Sequence, residues 1–185
     1  MTTFSVFVLS LLAQFGPSLG DTLGKTTIID APAVRIVDGD TSAGERLRFN
    51  LSGGKTLTIL NSSAVIKDRD GKTVAENRNL IRIPDVPATC PSRGFIDILT
   101  NEKGFAIHQQ TCSGWYFIDE TLKFELSSEG HYQLREVVLR YFDRRSPESD
   151  DVVEALTPND FGSIKFEDYR LEEAYKHLPG NKGKK

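Results

Sequence analysis

Along most of the chain, apolar and polar residues alternate with a period of two. That spacing turns one side of an extended strand toward a core and the other toward water. Arg46–Leu51 sets Leu47, Phe49 and Leu51 against Arg46, Arg48 and Asn50. Ser52-Gly53-Gly54 is a hairpin-type turn, and Thr56–Leu60 is the returning strand. Ala64–Lys67 and Thr73–Ala75 flank Asp70-Gly71, and Leu80–Ile83 follows, stopped by Pro84. Short strands are predicted earlier, at Thr26–Ile29 and Val34–Val37. Beyond the Pro-containing loop Asp85–Arg93, Phe95–Leu99 is almost continuously apolar, as in a central strand, and Phe105–Thr111 runs back. The longest hairpin joins Trp115–Leu126 to Tyr132–Phe142 through Ser127–Gly130. Strands recurring at intervals of roughly 8–12 residues predict a mainly β fold, either an antiparallel sandwich, a barrel or a curved sheet. Helical pattern is scarce: Leu171–Leu178 predicts a short C-terminal helix stopped by Pro179-Gly180, and Asp150–Leu156 is a second candidate.

The N-terminus changes the picture from fold to destination. Phe4–Phe15 is apolar, long enough for the core of a signal peptide and too short to span a bilayer. Gly16-Pro17 breaks it, and Ser18-Leu19-Gly20 supplies small residues for cleavage, so residues 1–20 read as a signal peptide and Asp21 as the mature start. The segment before the run lacks Lys and Arg, and the competing reading is a buried first element of a cytosolic domain. With no repeat and no long linker, residues 21–178 form a single β-rich domain, and residues 179–185 (GNKGKK after Pro179) a disordered basic tail. Cys90 and Cys112 are the chain's two cysteines, without CxxC spacing. In an oxidising compartment they pair, and the closed loop contributes roughly 3 kcal/mol in the chain-entropy model. Periplasmic or secreted localisation follows, with no transmembrane segment after cleavage. A net charge of −3 over 185 residues argues against a dedicated nucleic-acid binder, which needs clustered Lys and Arg to replace counterions.

Candidate chemistry is sparse. No GxSxG elbow, HExxH, Walker loop or GxGxxG motif occurs, and His108, His131 and His177 lack metal-ligand spacing, so neither a cofactor nor a metal is expected. Asp38–Glu45 resembles a short acidic calcium loop without its full spacing, and a solvated turn is the default. On the long strand Tyr116, Ile118, Leu122, Phe124 and Leu126 share the core-facing parity, and Glu120 falls among them. A carboxylate there needs a cation such as Arg, or a bulge that turns it outward. With Asp119 or His108 it is the chain's candidate general acid. Trp115 and Phe117 lie on the opposite parity and either cover a second core layer or present an aromatic patch suited to a protein partner. Arg140, Arg144 and Arg145 precede an acidic loop, where local salt bridges or a projecting recognition element are both expected.

Three segments, GFIDILTNEKGFAIHQQTCSGWYFIDETLKFEL, YFDRRSP and TPNDFGSIKFEDY, all between Gly94 and Tyr169, resemble small bacterial exported proteins without assigned activity. Some of that group resemble inhibitors or immunity proteins that protect the cell envelope from hydrolases. The resemblance carries over no functional residue. A disulfide-closed β scaffold, export and the lack of a catalytic signature point to a non-enzymatic protein-binding protein, and the aromatic and Arg-rich segments make Trp115, Phe117, Arg144 and Arg145 the partner-binding candidates. The alternative is a small envelope hydrolase using His108, Glu120 and Asp119, which requires His108 and Glu120 to line one cleft. Oligomeric state is left open.

Overall fold

A computed structural model describes residues 31–32, 36–38, 46–84 and 92–172. The signal peptide (1–20), most of the Asp38–Glu45 loop, Cys90, the strand expected at Thr26–Ile29, His177, the helix expected over Leu171–Leu178 beyond Glu172 and the tail 179–185 lie outside the described residues.

The alternating segments form two antiparallel sheets and no closed barrel. The first sheet runs β2 (Ile36–Asp38), β3 (Arg46–Asn50), β4 (Thr56–Leu60), β5 (Ser63–Lys67) and β6 (Thr73–Asn77) in chain order. The second runs β1 (Ala31–Pro32), β7 (Gly94–Thr100), β8 (Gly104–Ser113), β9 (Tyr116–Leu126), β10 (Tyr132–Asp143) and β11 (Val152–Leu156). Both sheets turn their apolar faces into one core, which makes the architecture a sandwich. Leu47, Phe49, Leu57, Ile59 and Ile66 come from the first sheet and Ile98, Phe105, Ile107, Leu122, Phe124 and Val137 from the second. Phe49 meets Phe95 edge-on across the gap, ring centres 6.1 Å apart.

The tail of the described chain closes one side. A short helix, α1 (Pro158–Phe161), starts where Asp160 accepts the Thr157 backbone N–H at 2.9 Å. A 3-10 turn at Phe166–Asp168 then drops Phe166 into the aromatic centre, 5.4 Å from Phe124 and 5.9 Å from Phe105. Buried Asn77, at the edge of the first sheet, donates its amide to the carbonyls of Phe166 (2.7 Å) and Tyr169 (2.9 Å). One amide thus fixes the segment that packs against β10 on its other side, through Leu134 N–H to Ile164 C=O at 2.9 Å. Among the described residues, Tyr132 is the core hydroxyl left without a hydrogen bond, and burial raises its pKa.

Three expectations from the pattern need correcting. Leu80–Ile83 is not a strand: Ile81 N–H goes to Ser62 C=O, Arg82 N–H to the Gln109 side chain, and Arg82 C=O receives Phe95 N–H. Its backbone groups are satisfied by three separate partners, so no ladder forms, while Leu80 and Ile81 still enter the core. Asp150–Leu156 is strand and not helix, because Val152 and Val153 pair with Tyr141 and Arg140 along the edge of β10. The apolar Phe95–Leu99 run lies in β7, next to the short edge strand β1 and away from the centre of the sheet. A bulge between Phe95 and Asp97 lets both Phe95 and Ile98 face the core, which is why the run looked continuous.

Candidate functional site

The long strand β9 separates the candidate residues by face. Ile118, Glu120, Leu122 and Phe124 are buried in alternation, as their parity predicts, while Tyr116 (37%) and Leu126 (38%) at its ends are exposed because the core stops short of them. Glu120 is fully buried and is held by an Arg, one of the two outcomes expected for it. Arg82 Nε donates to its Oε2 at 3.0 Å, Gln109 Nε2 donates to the same oxygen at 2.8 Å, and Tyr169 OH reaches Oε1 at 3.4 Å. Gln109 also donates to Leu80 C=O at 3.3 Å and accepts Arg82 N–H at 3.0 Å. The carboxylate is therefore compensated in charge and in hydrogen bonds, the condition under which a buried ion is tolerated.

His108 is in register with Thr121 on β9 and Asp97 on β7, whereas Gln109 is in register with Glu120. Opposed residues in an antiparallel pair share a face. His108 and Asp119 therefore lie on the outer face and Glu120 on the inner one. Asp119 accepts the Gln110 amide at 2.8 Å. The three groups proposed for acid–base chemistry do not share a cleft.

The aromatic and arginine candidates do come together, at the end of the sheet where β8 turns into β9. The two residues between Ser113 and Tyr116 are Gly114, with φ +56, and Trp115, the glycine-first pattern of tight two-residue hairpins. Trp115 belongs to the turn and not to the strand, so strand parity does not apply to it. It is 59% exposed, which overturns the core reading for this residue. Phe117 is half-buried beneath Arg144, whose guanidinium carbon is 5.1 Å from the ring centre.

Arg145 is held more tightly. Its Nε donates to Asp143 Oδ1 at 2.9 Å and a terminal nitrogen to Oδ2 at 2.6 Å, a two-pronged pair, and its own backbone N–H also donates to Oδ1 at 2.9 Å. These bonds, the Arg145 side-chain bond foremost and its backbone N–H next, lower the Asp143 pKa to about 2. So fixed, the Arg145 guanidinium stands 6.0 Å from the ring centres of both Trp115 and Tyr116. The loop is tied back by Arg144 N–H to Trp115 C=O at 2.9 Å and by Ser149 N–H and Oγ to Ser146 C=O at 2.9 and 2.7 Å. Beside it lies a concavity of about 400 Å³ lined by Phe117, Phe142, Asp143, Arg144, Pro147 and Asp151, among others.

Cys112 sits in register with Phe117, two residues before the turn, and is not a free thiol. Its expected partner Cys90 lies outside the described residues. Among the described residues, no helix is long and apolar enough to cross a membrane.

Sequence reasoning named Trp115, Phe117, Arg144 and Arg145, and read Gln109 and Gln110 as strand hydrogen-bonders, as found, but missed Arg82, Tyr169 and Asn77. Arg82 is separated from Glu120 by 38 residues and Tyr169 by 49, so no local spacing signals their meeting. No protein-family model matches the chain, and neither the curated proteins nor the solved structures searched return a match.

Proposed function

We propose that this chain is an exported, non-enzymatic protein-binding protein whose contact surface is the hairpin tip around Trp115. The observation that carries the reading is an exposed tryptophan on a two-residue turn, flanked by an arginine that a bidentate carboxylate holds in place. Tryptophan and arginine dominate binding energy at protein interfaces, and most so when little freedom is lost on contact. The tip is preorganised by its turn and its ion pair, and an adjoining concavity can receive a side chain from a partner. A periplasmic inhibitor or immunity protein, directed at an envelope-acting hydrolase or toxin, is the role that fits export and such a surface. The same reading includes removal of residues 1–20 and a Cys90–Cys112 disulfide. That bond would join Cys90 to Cys112, two residues before the tip.

Affinity capture from the envelope fraction of the source organism tests this. The wild-type protein is expected to retain one dominant protein partner. Trp115→Ala is expected to weaken that complex by about thirtyfold, the effect of a strong interface anchor, at unchanged melting temperature. Binding of the partner with undiminished affinity by Trp115→Ala and Arg145→Ala alike would rule out the tip as the contact surface. The acid–base alternative lacks its premise, since His108 and Glu120 occupy opposite faces of the sheet.

A further inference from the structure

The outer face of the first sheet carries a second concavity, of about 440 Å³, well away from the hairpin tip in the strand order. Its volume lies in the range of small-ligand clefts, roughly 300–1,000 Å³. Arg46, Arg48, Lys67 and Arg69 border it, while Thr58 and Val65 form part of its floor. This concentration of positive charge stands out on a chain whose net charge is −3.

The groove is built from the alternation itself. Burying Leu47 and Phe49 forces Arg46 and Arg48 outward together, and two residues along a strand separate them by about 7 Å. Burying Leu57 and Ile59 exposes the threonine row of β4 between β3 and β5, and burying Ile66 turns Lys67 out opposite Thr56. Arg69 is seated by a neighbour's lack of a side chain: its Cγ and Nε occupy the space that a Cβ on Gly54 would need.

One carboxylate, Asp68, lines the groove itself and another, Glu76, lies on the neighbouring strand β6; both are engaged. Asp68 accepts the backbone N–H groups of Asp70 (3.0 Å) and Lys72 (2.9 Å), and Glu76 pairs with Arg78 at 2.8 Å. Lys67 and Arg69 make no ion pair with the described side chains, and Arg46 stands in register with Asp38 of β2.

We infer that this groove binds a compact, multiply phosphorylated polyol or sugar. Guanidinium groups match phosphate oxygens in two-pronged geometry, and threonine hydroxyls suit a hydroxylated skeleton. No aromatic residue among the described residues lines the groove, so these offer no platform for stacking a nucleobase. Its concavity suits an inserted ligand better than a flat membrane surface.

Isothermal titration of the full chain with myo-inositol hexakisphosphate at low salt is the test, with inorganic phosphate, phosphatidylglycerol vesicles and a short single-stranded DNA as comparison probes. The hexakisphosphate is expected to bind more tightly than inorganic phosphate or the DNA and to weaken as salt rises. Arg46→Ala/Arg69→Ala should weaken it at least about tenfold, since each variant removes a charge-assisted contact, while Lys103→Ala, in the exposed turn before β8, leaves it unchanged. Absence of binding, equal loss in Lys103→Ala, or undiminished binding in the double variant would each overturn the inference. Retention on vesicles without hexakisphosphate binding would replace it with a membrane-surface role, and equal affinity for DNA would defeat the preference argued from the missing aromatics. None of these outcomes bears on the hairpin tip, which the double variant leaves intact.

Discussion

Two of the molecule's arginine–carboxylate pairs lie in opposite settings, one joining Arg82 to Glu120 inside the sandwich and one joining Arg145 to Asp143 on its rim. Glu120 is fully buried and Arg82 is 16% exposed, whereas Arg145 is 53% and Asp143 20% exposed. The inner pair joins elements far apart in sequence and draws in Gln109 and Tyr169. The outer pair joins residues two apart and draws in only the tip. In water such a contact adds little to folding, because both ions are well solvated when it breaks. Inside, breaking the pair strands a charge. The same two side-chain chemistries therefore serve different ends: the inner pair fixes which segments meet, and the outer pair fixes how one arginine is presented.

The sharpest way to break this comparison is to remove one inner partner. Arg82→Ala is expected to lower the free energy of unfolding by about 3 to 5 kcal/mol, measured by urea denaturation, because Glu120 stays buried without its cation. Replacing both members, Arg82→Met with Glu120→Leu, is expected to recover most of that loss. A cost below about 1 kcal/mol for Arg82→Ala would show that water reaches Glu120, and the contrast between the pairs would disappear.

Next in size is Asn77→Ala, which removes the amide bonded to the Phe166 and Tyr169 carbonyls and the oxygen that accepts Asn79 N–H at 3.0 Å. Left without partners in a buried site, these groups should cost about 2 to 3 kcal/mol. Amide hydrogen exchange in the 164–170 segment should quicken more than in β8 or β9, since Asn77 fastens that segment to the first sheet. Uniform quickening across both sheets would instead mean that the segment and the sandwich open as one unit.

How much of this was legible in the sequence follows from the range of each interaction. Period-two alternation located β4 residue for residue and β3, β5, β7, β8, β9 and β10 to within a few residues at their ends, because each strand reports its own two faces. It failed where a segment's partners are remote or irregular. Leu80–Ile83 has strand composition, yet the Gln109 side chain and the Phe95 amide take its hydrogen bonds. Val152–Leu156 follows an acidic run and reads as helix until β10 supplies an edge. The same limit governs the sites. Glu120 was visible as a polar residue on an apolar parity, but Arg82 was not visible as its partner. Trp115 was assigned a strand face because the turn at Gly114 leaves its neighbour on the loop, a one-residue difference that reverses its exposure.

The smallest effect on stability, and the most specific, concerns the outer pair. Arg145→Ala should leave the melting temperature unchanged, since both groups remain hydrated. The Asp143 carboxyl should nonetheless titrate differently. In the wild type, Arg145 holds its pKa at about 2, below its ordinary value of 3.8. A depressed carboxylate pKa means that the pairing favours the ionised form. The contribution is fully present above the ordinary value and is lost as the pH falls through about 2. Carbon-detected NMR of the Asp143 side chain should show a midpoint near 2 in the wild type and one close to 3.8 in Arg145→Ala. If the tip is the contact surface, the partner complex should weaken across that same acid interval, because protonated Asp143 no longer fixes the guanidinium beside Trp115 and Tyr116. A wild-type midpoint at the ordinary value would mean that the guanidinium moves freely in solution, and the rim would then present a flexible arginine where a fixed one is argued.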